Sequence, residues 1–258
     1  MCYSNDARPP ELPVGFGGGG GAIGEDLTLA AADGNKFMAY VAHAPQSQGA
    51  QVLIYPDVRG LHPFYKELAL RFAEAGINAL AMDYFGRSAG LTARDDAFEF
   101  RPHVEQMTWP TFTNDVRASV AHLHTLAPEP PSIFTVGFCM GGGLCLYSSM
   151  ADLGLTGVIG FYAGMRRAWD EAKGPLPDAA AHCKIPVLGL FGGNDPGIPT
   201  EQVQKLDEIL DGTGVAHSIN SYPGAPHSFF DRKYDEYKHE CDDAWQKVFE
   251  FIGKHKGE

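Results

Sequence analysis

Cysteine is sparse in this chain and badly placed for cross-linking. The five residues Cys2, Cys139, Cys145, Cys183 and Cys241 are scattered, with no C-x-x-C pair. An odd, dispersed set excludes a disulfide framework and is expected in a reducing, cytoplasmic setting. Long apolar runs are also missing, so no segment is expected to cross a membrane. The first residues, Met1-Cys2-Tyr3-Ser4-Asn5-Asp6, lack the apolar core of a signal peptide. Positive charge is short as well: the formal net charge is −12 and no Lys/Arg cluster stands out. That excludes nucleic acid as a partner, because a phosphate backbone must be met by clustered cations. The glycine run 17–21 lacks the Gly-Lys-Ser/Thr ending and the preceding strand of a phosphate loop. His122 and His124 have no third ligand at suitable spacing and would face different sides of a helix, so no metal is expected.

What is present is ordinary globular composition, 44% hydrophobic with 11% aromatic over 258 residues, enough for one sizeable core. Residues 1–24 are rich in Pro and Gly and read as a flexible leader. Residues 25–258 read as a single domain. Strand-like runs at 27–31 and 37–43 flank the turn Asp33-Gly34-Asn35 as a hairpin. Strands are then expected at 52–55, 77–82, 133–136, 158–162, 187–191 and 217–222. Helices are expected at 64–72, 115–126, after Cys139, at 203–210 and from about 238. Such alternation implies an α/β fold, a mostly parallel central sheet with helices on both faces. The stretch 91–111 shows no clear period and is expected as a flap over the site.

The chemistry concentrates at Cys139, in Gly137-Phe138-Cys139-Met140-Gly141 directly after a strand-like run. A nucleophile between glycines at a strand-to-helix turn stands exposed, and the helix start behind it offers an N–H to an oxyanion. Asp195 follows the run Phe191-Gly192-Gly193-Asn194, and His227 follows Gly224-Ala225-Pro226. Thiolate is the reacting form of cysteine; a His can take its proton, and an Asp behind the His fixes the tautomer. Singly, each has a plainer role: Cys139 as a buried core thiol, Asp195 as a turn residue before Pro196-Gly197, His227 as a loop residue. Together they stand in the order nucleophile, acid, His of the α/β-hydrolase fold.

The runs Gly137-Phe138-Cys139-Met140-Gly141-Gly142, Asn194-Asp195 and His227-Ser228-Phe229 resemble the dienelactone hydrolase family, over residues 25 to 250. That resemblance implies a Cys-His-Asp triad acting without a cofactor. Tyr55-Pro56-Asp57-Val58-Arg59-Gly60 resembles the family loop whose carboxylate, commonly Glu, activates the thiol. Asp57 takes that place, one methylene shorter, and the Val58 amide would join Met140 as the oxyanion hole. Asp83-Tyr84-Phe85-Gly86-Arg87 resembles the segment whose Arg binds a substrate carboxylate. From the residues alone, Asp57 serves equally as a helix cap, Arg87 as half of a surface ion pair and Asp83 as a hydrogen-bonding structural residue. The chain departs from the family four residues after His227, where Asp231 replaces a second substrate-binding Arg and Arg232 comes one later. Arg59 or Arg101 could compensate.

The expectation is a cysteine-nucleophile hydrolase, monomeric or a small homo-oligomer, taking a small-molecule ester or lactone through an acyl-enzyme. The missing second Arg keeps open a general carboxylesterase or thioesterase. An oxidisable thiol keeps open a redox-responsive binding protein without catalysis.

Overall fold

A computed structural model describes residues 7–17, 21–127, 131–231 and 233–257. Its centre is an eight-stranded sheet formed by β1 (Ile23–Ala30), β2 (Lys36–His43), β3 (Ala50–Tyr55), β4 (Asn78–Met82), β5 (Ser132–Phe138), β6 (Gly157–Phe161), β7 (Val187–Gly192) and β8 (His217–Tyr222). The strands lie in the order β1-β2-β4-β3-β5-β6-β7-β8. β2 runs antiparallel to both neighbours, and every pairing from β4 to β8 is parallel. β3, β4, β6 and β7 are buried at every position, as strands covered on both faces must be.

Helices α1 (Pro63–Glu74), α2 (Gly86–Ala89), α3 (Arg101–Gln106), α4 (Trp109–His124), α5 (Met140–Ser148), α6 (Thr200–Thr213) and α7 (Lys238–His255) connect these strands. α1 starts where the His62 ring accepts the Phe64 N–H and Pro63 fills the first position, and Gly76 (φ 85°) lets the chain turn back into β4. The expected elements are all present, most within a few residues at each end. The stretch 91–111 is more regular than expected: it contains α3 and the first turn of α4, which begins at Trp109 rather than 115. A proline in the first turn of each helix is compatible with a start there, and six residues are too few to show a period.

Of the stretch expected as a leader, residues 7–17 run against α1 and α7. The Trp245 indole donates to Pro10 O (3.4 Å), Phe16 stacks on Phe249 (4.8 Å between centroids) and Arg71 pairs with Glu11 (2.9 Å). Among the described residues, no helix is long and apolar enough to cross a membrane.

Candidate active site

Cys139 occupies the turn between β5 and α5 with φ 56° and ψ −111°, a conformation costly for any residue with a side chain. The surroundings enforce it. The Cys139 N–H donates to Phe161 O (3.1 Å), and its carbonyl accepts the N–H groups of Gly143 (3.1 Å) and Gly164 (2.9 Å). The flanking glycines are there for room. A β-carbon on Gly137 would strike the Gly141 carbonyl, and one on Gly141 would strike the carbonyl oxygens of Tyr55 and Pro56. Cys139 is half-buried, whereas Cys145, Cys183 and Cys241 are buried. Burial pushes those three thiols up, Cys183 to about 11, which keeps them protonated and unreactive.

Asp195 and His227 meet. His227 Nδ1 lies 2.5 Å from Asp195 Oδ2, while Asp195 Oδ1 accepts the Gly197 N–H at 2.8 Å. The Asp195 side chain is 2% exposed and that of His227 27%, so the acid is sealed and the imidazole keeps one edge open. Backbone bonds set this register: Gly193 N–H to Tyr222 O (2.8 Å) and Asn194 N–H to Ala225 O (2.9 Å) lock the turn after β7 onto the His227 loop. Gly192 has no room for a β-carbon against Ala225 O and Pro226 O, which explains a glycine at the strand end.

The close approach of Gly141 to Tyr55 and Pro56 brings the start of α5 against the loop that carries Asp57 and Val58. Met140 and Val58 therefore sit on chain segments in backbone contact. Asp57 is fully buried; its Oδ1 accepts the Arg59 N–H (2.9 Å) and lies 3.5 Å from Arg59 Nε, and its own N–H donates to Tyr65 Oη (2.9 Å). The loop is fastened from below by Asp83, whose Oδ1 accepts the Leu61 N–H (3.2 Å) and whose Oδ2 accepts the Phe85 N–H (2.9 Å). Arg94 completes that bracket with Nε to Oδ1 (3.0 Å) and a terminal nitrogen to Oδ2 (2.8 Å), both side chains being fully buried. Asp83 thus has the structural role that the sequence also allowed.

His62, at the head of α1, is buried, and its imidazole is pushed down to about 4 by desolvation and by Arg59, against the pull of Asp96. The folded protein binds this proton less readily than the unfolded chain. The resulting stability is present above about 6.5, the unfolded value, and is lost as pH falls toward 4. His62→Asn, which keeps an oxygen to cap α1, is expected to reduce the loss of unfolding free energy between pH 7 and 4.5 by about 2 kcal/mol. Urea titrations at the two pH values check it; an unchanged difference would refute the assignment.

The expected substrate-binding cations sit in different company. Arg87 is held by Asp33 (2.8 Å) and by Asp115 (2.7 Å), a carboxylate 3% exposed. A cavity of about 100 Å³ beside it is lined by Tyr84, His103, Met107 and Phe112 among others, without Cys139 or His227. Arg59 is buried beside Asp57. Arg101 is exposed at the start of α3. Arg232 lies outside the described residues.

Several groups at the site were not singled out from the sequence. Tyr162 follows β6, its ring 4.8 Å from that of His227 and its hydroxyl donating to Asp231 Oδ2 at 2.7 Å. Arg94 stands in the aperiodic stretch 91–111, where nothing local marks its pairing with Asp83. Arg167 ties the segment after β6 to α3 and its exit, donating to Val104 O and Met107 O (2.8 Å each) while lying over the Trp169 ring. A positive-φ tyrosine at the C-terminal end of a parallel strand leaves no mark in sequence, and neither does an ion pair eleven residues long.

Comparison with known proteins follows the same lines. The model of the dienelactone hydrolase family matches residues 37–256. The carboxymethylenebutenolidase of Rhodococcus opacus is 28% identical, over 99% of this chain and 97% of its own. Among solved structures, a Klebsiella pneumoniae protein provisionally named a dienelactone hydrolase superposes with a TM-score of 0.78 at 19% identity, covering 91% of this chain and 99% of that one. A dienelactone hydrolase-like promiscuous phosphotriesterase from metagenomic libraries gives 0.71 at 19% identity, covering 92% and 100%. At such identities the superpositions speak for the fold, and the family match speaks for the chemistry. The chain belongs to the dienelactone hydrolase family: it is a hydrolase acting on ester or lactone bonds, built on the α/β-hydrolase fold.

Proposed function

We propose that the reaction runs through an acyl-enzyme on Cys139, with His227 as proton carrier and Asp195 as its orienting acid. The observation that carries this reading is the strained Cys139 backbone at the head of α5, taken together with a His227–Asp195 contact of 2.5 Å. His227 takes the thiol proton, and the helix start behind Cys139 favours the thiolate. The sulfur attacks the acyl carbon, and the amides of Met140 and Val58 receive the oxyanion. Collapse of the adduct expels the alkoxide or enolate, which takes its proton from His227. Water, giving a proton to His227, then attacks the thioester carbon; the adduct collapses with cleavage of the C–S bond, which releases the acid and returns the Cys139 sulfur as thiolate. Asp57 acts on the thiol from the neighbouring loop. A thiolate leaves a tetrahedral adduct readily, so a cysteine nucleophile favours substrates with a good leaving group, such as an enol ester or enol lactone.

A second reading of the substrate is favoured by the cations. Arg87 is bound by two carboxylates, and the buried Asp231 stands where the family has its second Arg. Both features support an ester without a carboxylate, handled by a general carboxylesterase.

The test is intact-protein mass spectrometry after rapid mixing with p-nitrophenyl acetate and, separately, a carboxylated dienelactone. One acyl group per chain on Cys139, formed in a burst and absent from Cys139→Ala, is expected. Turnover without any acylated cysteine would refute the mechanism. Comparison of the two kcat/KM values decides between the substrates.

A further inference from the structure

Asp195 alone does not fix the catalytic imidazole. One hydrogen bond at Nδ1 holds a single edge atom, and the ring can still swing about the line of that bond. A contact on its face restrains that swing, and the described residues provide one. Tyr162 lies against the His227 ring with centroids 4.8 Å apart and planes at 54°.

Tyr162 is itself unusually constrained. It is one of three non-glycine residues described with positive φ, at 34°, an unfavourable conformation for a bulky side chain. The backbone on each side of it is bonded to the nucleophile: Phe161 O accepts the Cys139 N–H, and the Gly164 N–H donates to Cys139 O. Its own N–H donates to Leu190 O on β7, at 2.7 Å. Phe138 (6.0 Å) and Phe229 (5.9 Å, edge to face) also pack on its ring. The hydroxyl donates to Asp231 Oδ2 at 2.7 Å, and Asp231 is fully buried. That bond spans 69 residues and ties the end of β6 to the turn that carries His227.

We propose that Tyr162, anchored by the buried carboxylate of Asp231, is the positioning residue that sets the plane of the His227 ring for proton exchange with Cys139. The inference rests on the triad reading given above. It also gives Asp231 a task at the position where the family has an arginine. Burial and the neighbouring Asp231 charge push the Tyr162 phenol well up, so it stays a proton donor to Asp231 at neutral pH.

The experiment compares Tyr162→Phe, Asp231→Asn and Cys139→Ala by steady-state ester hydrolysis and by alkylation of Cys139 with iodoacetamide across pH. Tyr162→Phe keeps the ring and loses its anchor. Its kcat is expected to fall about tenfold with KM within about twofold, one decade being about 1.4 kcal/mol. Asp231→Asn keeps an acceptor for the phenol but not its charge, and its kcat is expected to fall by less than that of Tyr162→Phe. Tyr162→Phe should move the alkylation profile of Cys139 to higher pH than the parent's, because a misplaced imidazole no longer takes the thiol proton. A merely structural role would lower the melting temperature without moving this profile or splitting kcat from KM. Should Tyr162→Phe fail to fold, Asp231→Ala removes the acceptor and is expected to give the same split. Unchanged kcat and alkylation profile in Tyr162→Phe, with Cys139→Ala inactive, overturns this inference alone. Full activity in Cys139→Ala overturns the triad reading, and this inference with it.

Discussion

Asp195→Asn is expected to lower kcat by about 10³- to 10⁴-fold while leaving the protein folded. Asp195 has two differently employed oxygens: Oδ1 accepts the Gly197 N–H at 2.8 Å, and Oδ2 faces His227 Nδ1 at 2.5 Å. In the asparagine variant the backbone donor retains the oxygen, so the NH₂ group turns toward the imidazole. A donor at that position forces the proton of His227 onto Nε2. The ring then presents a donor, not an acceptor, to the Cys139 thiol, and the base is lost without any change of shape. Part of the activity should return as pH rises past the ordinary thiol range, because a thiolate formed by bulk hydroxide no longer needs His227. Steady-state rates between pH 6 and 10, with thermal melts, check both parts. A loss below tenfold, or no recovery at high pH, would show that the tautomer is not what Asp195 controls.

The order Cys139, Asp195, His227 was legible because each residue lies in a short local signature. Gly137 and Gly141 bracket the first, and Gly192 and Gly193 precede the second because backbone carbonyls leave no space for a side chain. Steric demands of this kind act between neighbours in the chain and therefore mark the sequence. The parallel strands were legible for a related reason: burial on both faces requires continuous apolar runs. The company a charged residue keeps is not local. Arg87 carried the family motif, yet nothing near it in sequence tells that Asp33 and Asp115, from a hairpin turn and a distant helix, close on its guanidinium. Tyr162 and Asp231 belong to the same class, since only the register of β6 against the His227 turn brings them together. Short helices also escape: α3 has six residues, too few for an apolar stripe to repeat.

Arg94→Met is expected to cost about 3–5 kcal/mol of stability, the largest such loss anticipated outside the apolar core. Asp83 and Arg94 form a two-point contact, at 3.0 and 2.8 Å, with neither side chain exposed. Removing the guanidinium leaves a carboxylate in the interior with, among the described residues, the Leu61 and Phe85 amides to stabilise it. Arg94 also donates to Gly90 O (2.9 Å) and Thr92 O (2.6 Å) and lies over the Phe98 ring, so the 90–98 segment is released as well. Lysine cannot replace it, because a point charge does not reproduce the fork. The double variant Asp83→Asn/Arg94→Met removes the buried charge together with its partner and should recover at least half of the lost stability, which separates an uncompensated charge from lost packing. Activity should fall with the single variant even where it is folded. Gly60 (φ 73°) lies so close to Asp83 Oδ1 that no β-carbon fits between them, and the loop bearing Asp57 and Val58 rests on that contact. Urea unfolding of both variants beside the parent checks the argument. A loss below about 1 kcal/mol for Arg94→Met would mean that this pair does not hold the loop.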